Sequence, residues 1–155
     1  MQLLIIFLSS AMTLAAQAET PEADLLAGSE LSYQRSGGIA GSIETAKLVA
    51  RSGVVTAEYA SKSGRTRIEP QTAPVPAARY VELFQEAERA GIWSLEAPRK
   101  DGGADQIQYQ LSAVAGGRRQ LVSWTDGTSS SPSVANAVRI GERILALARE
   151  LTTER

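Results

Sequence analysis

The stretch Gln106-Ile107-Gln108-Tyr109-Gln110-Leu111-Ser112-Ala113 constrains the fold more than any other part of the chain. Ile107, Tyr109, Leu111 and Ala113 share one parity, and Gln106, Gln108, Gln110 and Ser112 share the other. Side chains alternate sides along a strand, so this segment must be half-buried, with one apolar face and one wet face. A strand of this kind belongs to an antiparallel sheet whose apolar face is covered by something else in the chain.

The flanking sequence supplies partners and cover. Gly116-Gly117 is a hairpin dipeptide, and Arg119 to Thr125 pairs back with Val122 and Trp124 on one parity. Asp126-Gly127 ends that strand. Upstream, Leu31, Tyr33 and Arg35 alternate with Ser32 and Gln34 before Gly37-Gly38. Ser42 to Ala50, Val54 to Ala60 and a short Thr66 to Glu69 complete a predicted meander, with turns at Arg51-Ser52-Gly53 and Lys62-Ser63-Gly64-Arg65. Pro70, Pro74 and Pro76 then predict an extended connection without ladder hydrogen bonds. Tyr80, Leu83, Phe84 and Ala87 recur at helical spacing within Ala77 to Ala90, and Gly91 is a helix stop. Ile92, Trp93 and Leu95 are expected to fold back beneath the sheet. Ser131-Pro132 opens a last helix running to Leu151, with Val134, Val138, Gly141, Leu145 and Ala148 on one stripe. Ile140, Ile144 and Leu147 widen that stripe, as suits a helix packed across a sheet. The predicted order is β-β-β-β-α-β-β-α: an α+β fold, an antiparallel sheet with helices on one face.

The N-terminus reads differently. An apolar run from Leu3 ends in Ala16-Gln17-Ala18, a small-x-small signature, and Glu19-Thr20-Pro21-Glu22 turns abruptly polar. This is the layout of a secretory signal peptide, residues 1–18, removed between Ala18 and Glu19. The run is shorter than the roughly 20 apolar residues that a spanning helix needs, and no later segment is long and apolar enough to cross a membrane. Residues 19–29 read as a polar lead-in and 30–152 as a single domain. A periplasmic or secreted location follows as the expectation.

Composition limits the chemistry. With no histidine and no cysteine, the chain lacks the usual general base, thiol catalysis, the common zinc ligands and any disulfide. Asp101 and Asp105 lie in a glycine-rich stretch without the ligand spacing or closing Glu of a calcium loop. Nucleotide-binding glycine motifs are missing. Sixteen basic against 17 acidic residues make no electrostatic case for nucleic acid. Trp93 and Trp124 read as core-closing aromatics, and Arg118-Arg119 as a solvated hairpin tip. No catalytic residue, cofactor or metal is expected, and the sequence points to a binding module rather than an enzyme.

The most distinctive candidate surface is Arg35-Ser36-Gly37-Gly38-Ile39-Ala40-Gly41, a glycine cluster around an isoleucine at a strand end. Ile39 either packs inward on the next strand or is presented to a partner. Together with Ala90-Gly91-Ile92-Trp93-Ser94-Leu95, with Ala104-Asp105-Gln106-Ile107-Gln108-Tyr109-Gln110-Leu111, and with Gly116-Gly117-Arg118-Arg119 before a final helix, this stretch resembles the emfourin family over Leu31 to Leu151. Relatives often carry an aromatic at the Ile39 position. The chain departs from that family in its export signal and in extra length between Ala46 and Pro76. The named member of the family inhibits protealysin, a thermolysin-like zinc metalloprotease. The resemblance therefore implies a proteinaceous inhibitor whose loop, Arg35 to Gly41, meets such a protease. The alternative function is a non-inhibitory periplasmic or secreted interaction module.

Overall fold

Every strand-to-strand step within the two meanders is a short hairpin, so strands adjacent in sequence become neighbours in space. The computed structural model describes residues 19–38, 41–97, 106–126 and 132–153. Its strands are β1 (Gly28–Gly37), β2 (Ser42–Arg51), β3 (Val54–Ser63), β4 (Thr66–Pro74), β5 (Gln108–Ala115) and β6 (Arg118–Thr125). They form one six-stranded sheet in the order β4-β3-β2-β1-β5-β6, with every neighbouring pair antiparallel. Among the described residues the helices are α1 (Glu22–Ala27), α2 (Ala77–Arg89) and α3 (Pro132–Thr153), with a 3-10 turn at Ile92–Ser94. The fold is α+β, as the alternation and the helical stripes predict.

Register explains where the core sits. One cross-sheet row runs Ala73, Ala57, Leu48, Leu31, Ala113; the next runs Tyr59, Ala46, Tyr33, Leu111, Val122. All of these side chains are buried and share a face. Alanines leave room for helices to lie close, while Leu31, Leu48 and Leu111 supply apolar area, about 1.5–3 kcal/mol for each fully buried side chain. α3 crosses β1 to β4 on this face, burying Ala137, Ile140, Gly141, Ile144, Leu145, Leu147 and Ala148. A Cβ at Gly141 would lie 2.3 Å from Cε2 of Tyr33, so the glycine sets how closely helix and sheet approach. α2 buries Tyr80, Val81, Leu83, Phe84 and Ala87, and Ile92 and Leu95 follow it into the core.

Three details differ from the sequence-based expectations. β4 continues through Pro70 to Pro74 instead of stopping at Glu69. It is an edge strand, and Pro70 falls at a register shift between the pairs Tyr59–Gln71 and Ser61–Ile68, where a missing N–H costs no ladder bond. The lead-in over 19–29 is built into the domain: it forms α1 and the start of β1, and Leu25 is fully buried. The turn between β2 and β3 holds the end of α1, as the Ser52 and Gly53 N–H groups donate to the Ala27 and Leu26 carbonyls at 3.2 and 2.9 Å. On α3, Val138 is exposed, because the buried stripe follows Ala137, Ile140, Ile144 and Ala148.

Candidate functional site

The candidate loop grows out of the β1–β2 hairpin. Gly37 pairs with Ser42 as the last rung, the Gly41 N–H donates to the Gly38 carbonyl at 3.0 Å, and the Ser42 hydroxyl donates to the Gly37 carbonyl at 3.1 Å. Gly37 has φ +133°, a conformation side chains rarely adopt, and a Cβ there would lie 2.7 Å from the Gln106 carbonyl oxygen. Glycine is thus required twice at this position, by backbone conformation and by the close approach of the chain leading into β5. Ile39 and Ala40 lie outside the described residues.

Beneath the loop, on the helix-covered face, sits a network of charged and phenolic groups. Arg35 and Glu44 are cross-strand partners, and the Arg35 Nε donates to Glu44 Oε2 at 2.5 Å. Glu44 Oε1 also accepts from the Tyr59 hydroxyl at 2.8 Å and from Arg149 Nη2 of α3 at 2.6 Å. Burial works to raise the Glu44 carboxyl, but hydrogen bonds from Tyr59, Arg35 and Arg149 outweigh it and hold the group below its ordinary range. Glu142 of α3 lies 3.8 Å from Arg35 Nη1 and accepts from the Tyr33 hydroxyl at 3.0 Å. Burial, then the charge of Glu142, pushes the Tyr33 phenol well up, so it remains a donor. Beside Arg35, the rings of Tyr109 and Trp124 stack at 5.5 Å and 10°, and Tyr33 stacks on both at 6.5 and 6.3 Å.

Arg35 is therefore a structural strut. Its charge is engaged by Glu44 and faced by Glu142, so it braces the loop base against α3. Ser36 is half-buried on the opposite face of the sheet and pairs with Ile43. Gly37, Gly38 and Gly41 shape the turn. The supporting residues Glu44, Tyr59, Glu142 and Arg149 were not candidates in the sequence. Glu44 was within reach: folding the hairpin symmetrically about 38–41 places it opposite Arg35. Glu142 and Arg149 carry no such local signal.

A second polar centre lies at the far end of the sheet. The Glu88 carboxylate, nearly fully buried at the end of α2, accepts from the Thr20 N–H at 2.9 Å, Trp93 Nε1 at 3.0 Å and Arg118 Nη2 at 3.0 Å. The Thr20 hydroxyl donates to the same carboxylate. The Arg118 guanidinium lies 4.3 Å from the centre of the Trp93 ring. Arg118 and Arg119 are both exposed at the hairpin end, as expected, and Arg118 in addition closes over a buried carboxylate. Of the two tryptophans, Trp124 is buried in the core, and Trp93 is half-buried against it.

Among the described residues no group of three or more His, Cys, Asp or Glu could hold a metal ion, and no helix is long and apolar enough to cross a membrane. Asp101 and Asp105 lie outside the described residues. Fold and site together define a two-layer α+β domain: a six-stranded antiparallel sheet, helices on one face, and a glycine hairpin on a cross-braced base. No protein-family model matches the chain, and a search of curated proteins finds no match.

Proposed function

We propose that this chain is an exported binding protein that inhibits a thermolysin-like zinc metalloprotease through the loop Arg35 to Gly41. The reading rests on the emfourin resemblance. The observation that supports it is the rigidity of the loop base: Arg35, Glu44 and Arg149 tie β1, β2 and α3 together, and Gly37 is wedged against Gln106. An inhibitory loop gains affinity when its ends are held in place before binding, because less conformational entropy is lost on association. Thermolysin-like enzymes favour a bulky apolar residue on the leaving side of the scissile bond. In this proposal Ile39 fills that pocket, and the neighbouring glycines admit the backbone to the cleft. Arg35 serves the loop from below instead of pairing with a carboxylate of the protease. The proposed location is periplasmic or secreted, where an exported protease would be met.

Titration of thermolysin with the purified chain beginning at Glu19 tests the proposal. The expected outcome is loss of peptidase activity at stoichiometric to micromolar inhibitor. Ile39→Asp is expected to weaken inhibition by about a hundredfold or more, the scale of a lost interface anchor, with the thermal unfolding transition unchanged. Undiminished activity at micromolar excess of an intact, folded chain counts against inhibition of that enzyme. Full inhibition by Ile39→Asp removes the loop from the mechanism.

A further inference from the structure

The two edges of the sheet are built differently. β4 carries Pro70 and Pro74, the charges Arg67 and Glu69, and a register shift. These are devices that discourage pairing with another strand. β6 carries charges too, Arg118 and Arg119, but it has no proline and pairs with β5 in unbroken register from Arg118 to Thr125.

Which of its backbone groups face outward follows from the hairpin. Ala115 and Arg118 flank the two-residue turn Gly116-Gly117, whose φ values of +55° and +75° define a type I′ turn. The flanking pair of such a turn exchanges hydrogen bonds, and bonded pairs recur at every second residue. Arg118, Gln120, Val122 and Trp124 therefore direct their N–H and C=O toward β5. The Asp126 N–H, donating to the Ile107 carbonyl at 3.2 Å, continues the same phase. Arg119, Leu121 and Ser123 direct theirs away from the sheet. Their side chains are exposed, Leu121 at 53%, and among the described residues no backbone hydrogen bond reaches their outer side.

We propose that β6 is a homodimer interface, pairing antiparallel with β6 of a second copy across a twofold axis at Leu121. This register is self-complementary. Leu121 meets Leu121 of the second copy, burying an otherwise exposed side chain. Arg119 falls opposite Ser123, so no like charges are opposed, and all three outward residues fall in hydrogen-bonding pairs. On the other face Gln120 meets Val122 and Arg118 meets Trp124. A twofold axis uses the same patch on both copies, which closes the assembly at two. The result is a continuous sheet in which the two Gly37–Gly41 hairpins point from opposite ends. The proposal is independent of the protease reading, since β5 separates β6 from β1.

Sedimentation equilibrium on the purified chain tests the association, and single cysteines in this cysteine-free sequence test the register. The wild type should show a concentration-dependent monomer–dimer equilibrium. Leu121→Glu, which sets two carboxylates face to face, and Ser123→Pro, which removes an outward N–H, should each raise the dimer dissociation constant about tenfold or more. Circular dichroism should show both variants folded. Leu121→Cys should form an intermolecular disulfide under mild oxidation, because bonded partners lie about 5.5 Å apart at Cα. Ser123→Cys should not, as its copies sit about 14 Å apart along the strands. Mixing Arg119→Cys with Ser123→Cys should yield the mixed disulfide. A wild type that stays monomeric at millimolar concentration overturns the proposal. So does a dimer that both variants leave intact, or one in which Ser123→Cys cross-links as readily as Leu121→Cys.

Discussion

Gly141 decides the distance between α3 and the sheet. Helix propensity alone favours alanine over glycine there, by about 1 kcal/mol. Packing opposes it, because the added Cβ would fall 2.3 to 2.8 Å from three atoms of the Tyr33 ring. That ring is stacked on Tyr109 and Trp124 and its hydroxyl is tied to Glu142, so it has little room to give. Overpacking typically costs about 1–3 kcal/mol, which exceeds or offsets the propensity gain. Gly141→Ala is therefore expected to lower stability by up to about 2 kcal/mol, read as a reduced denaturation midpoint at unchanged m-value. A stabilised variant would show that helix and sheet can separate at this contact without loss.

The first short helix and the strand after it owe their position to a side chain far along the chain. Glu88 accepts the Thr20 N–H and hydroxyl, and so seats the segment that leads into α1. Trp93 and Arg118 complete the same carboxylate from two other elements. Glu88→Ala leaves those donors without their acceptor in a largely buried place. The expected cost is about 2 kcal/mol, with a second signature at the element scale. The Thr20 amide, protected by its bond to Glu88, should exchange with solvent much faster, while amides in β1, β2 and β5 keep their protection. Equal loss of protection throughout would mean that the lead-in and the sheet unfold as one unit.

For the molecule as a whole, the two cross-linking carboxylates set the acid limit of stability. At both Glu44 and Glu88 burial works to raise the carboxyl, and hydrogen bonds outweigh it: Tyr59, Arg35 and Arg149 at the first, Thr20 and Trp93 at the second, with Arg118 adding its charge. Both folded-state values lie below the ordinary value near 4.5. A lowered carboxylate stabilises the fold above the unfolded-state value, and that contribution disappears as pH falls through the folded-state value. Stability is thus expected to be flat from neutral pH to about 5 and to fall below about 4.5, with uptake of protons on unfolding. Glu44→Gln and Glu88→Gln should each be less stable at pH 7 yet lose less on acidification. Urea unfolding as a function of pH checks both signs. An unchanged acid slope in the double variant would place the titrating groups elsewhere.

Much of this architecture was legible in the chain because it is written in local periodicity. The parity of Tyr109, Leu111 and Ala113 told which face of β5 is buried, the stripe from Ile140 to Ala148 told which side of α3 meets a sheet, and the glycine pairs placed the hairpins. The absence of histidine and cysteine restricted the available chemistry without any coordinates. Other features depend on residues distant in sequence and brought together only by folding. β1 pairs with β5 across the whole meander and α2; Arg35 and Glu44 meet Arg149 and Glu142 of the last helix; Thr20 meets Glu88 and Arg118. The prolines of β4 misled in the same way, since proline is excluded only where its N–H would be needed, and an edge is known as an edge only once the sheet is assembled. Side-chain alternation is a property of one strand, whereas burial, charge pairing and edge position are properties of neighbours, which in this molecule the closing of the sheet and the crossing of α3 decide.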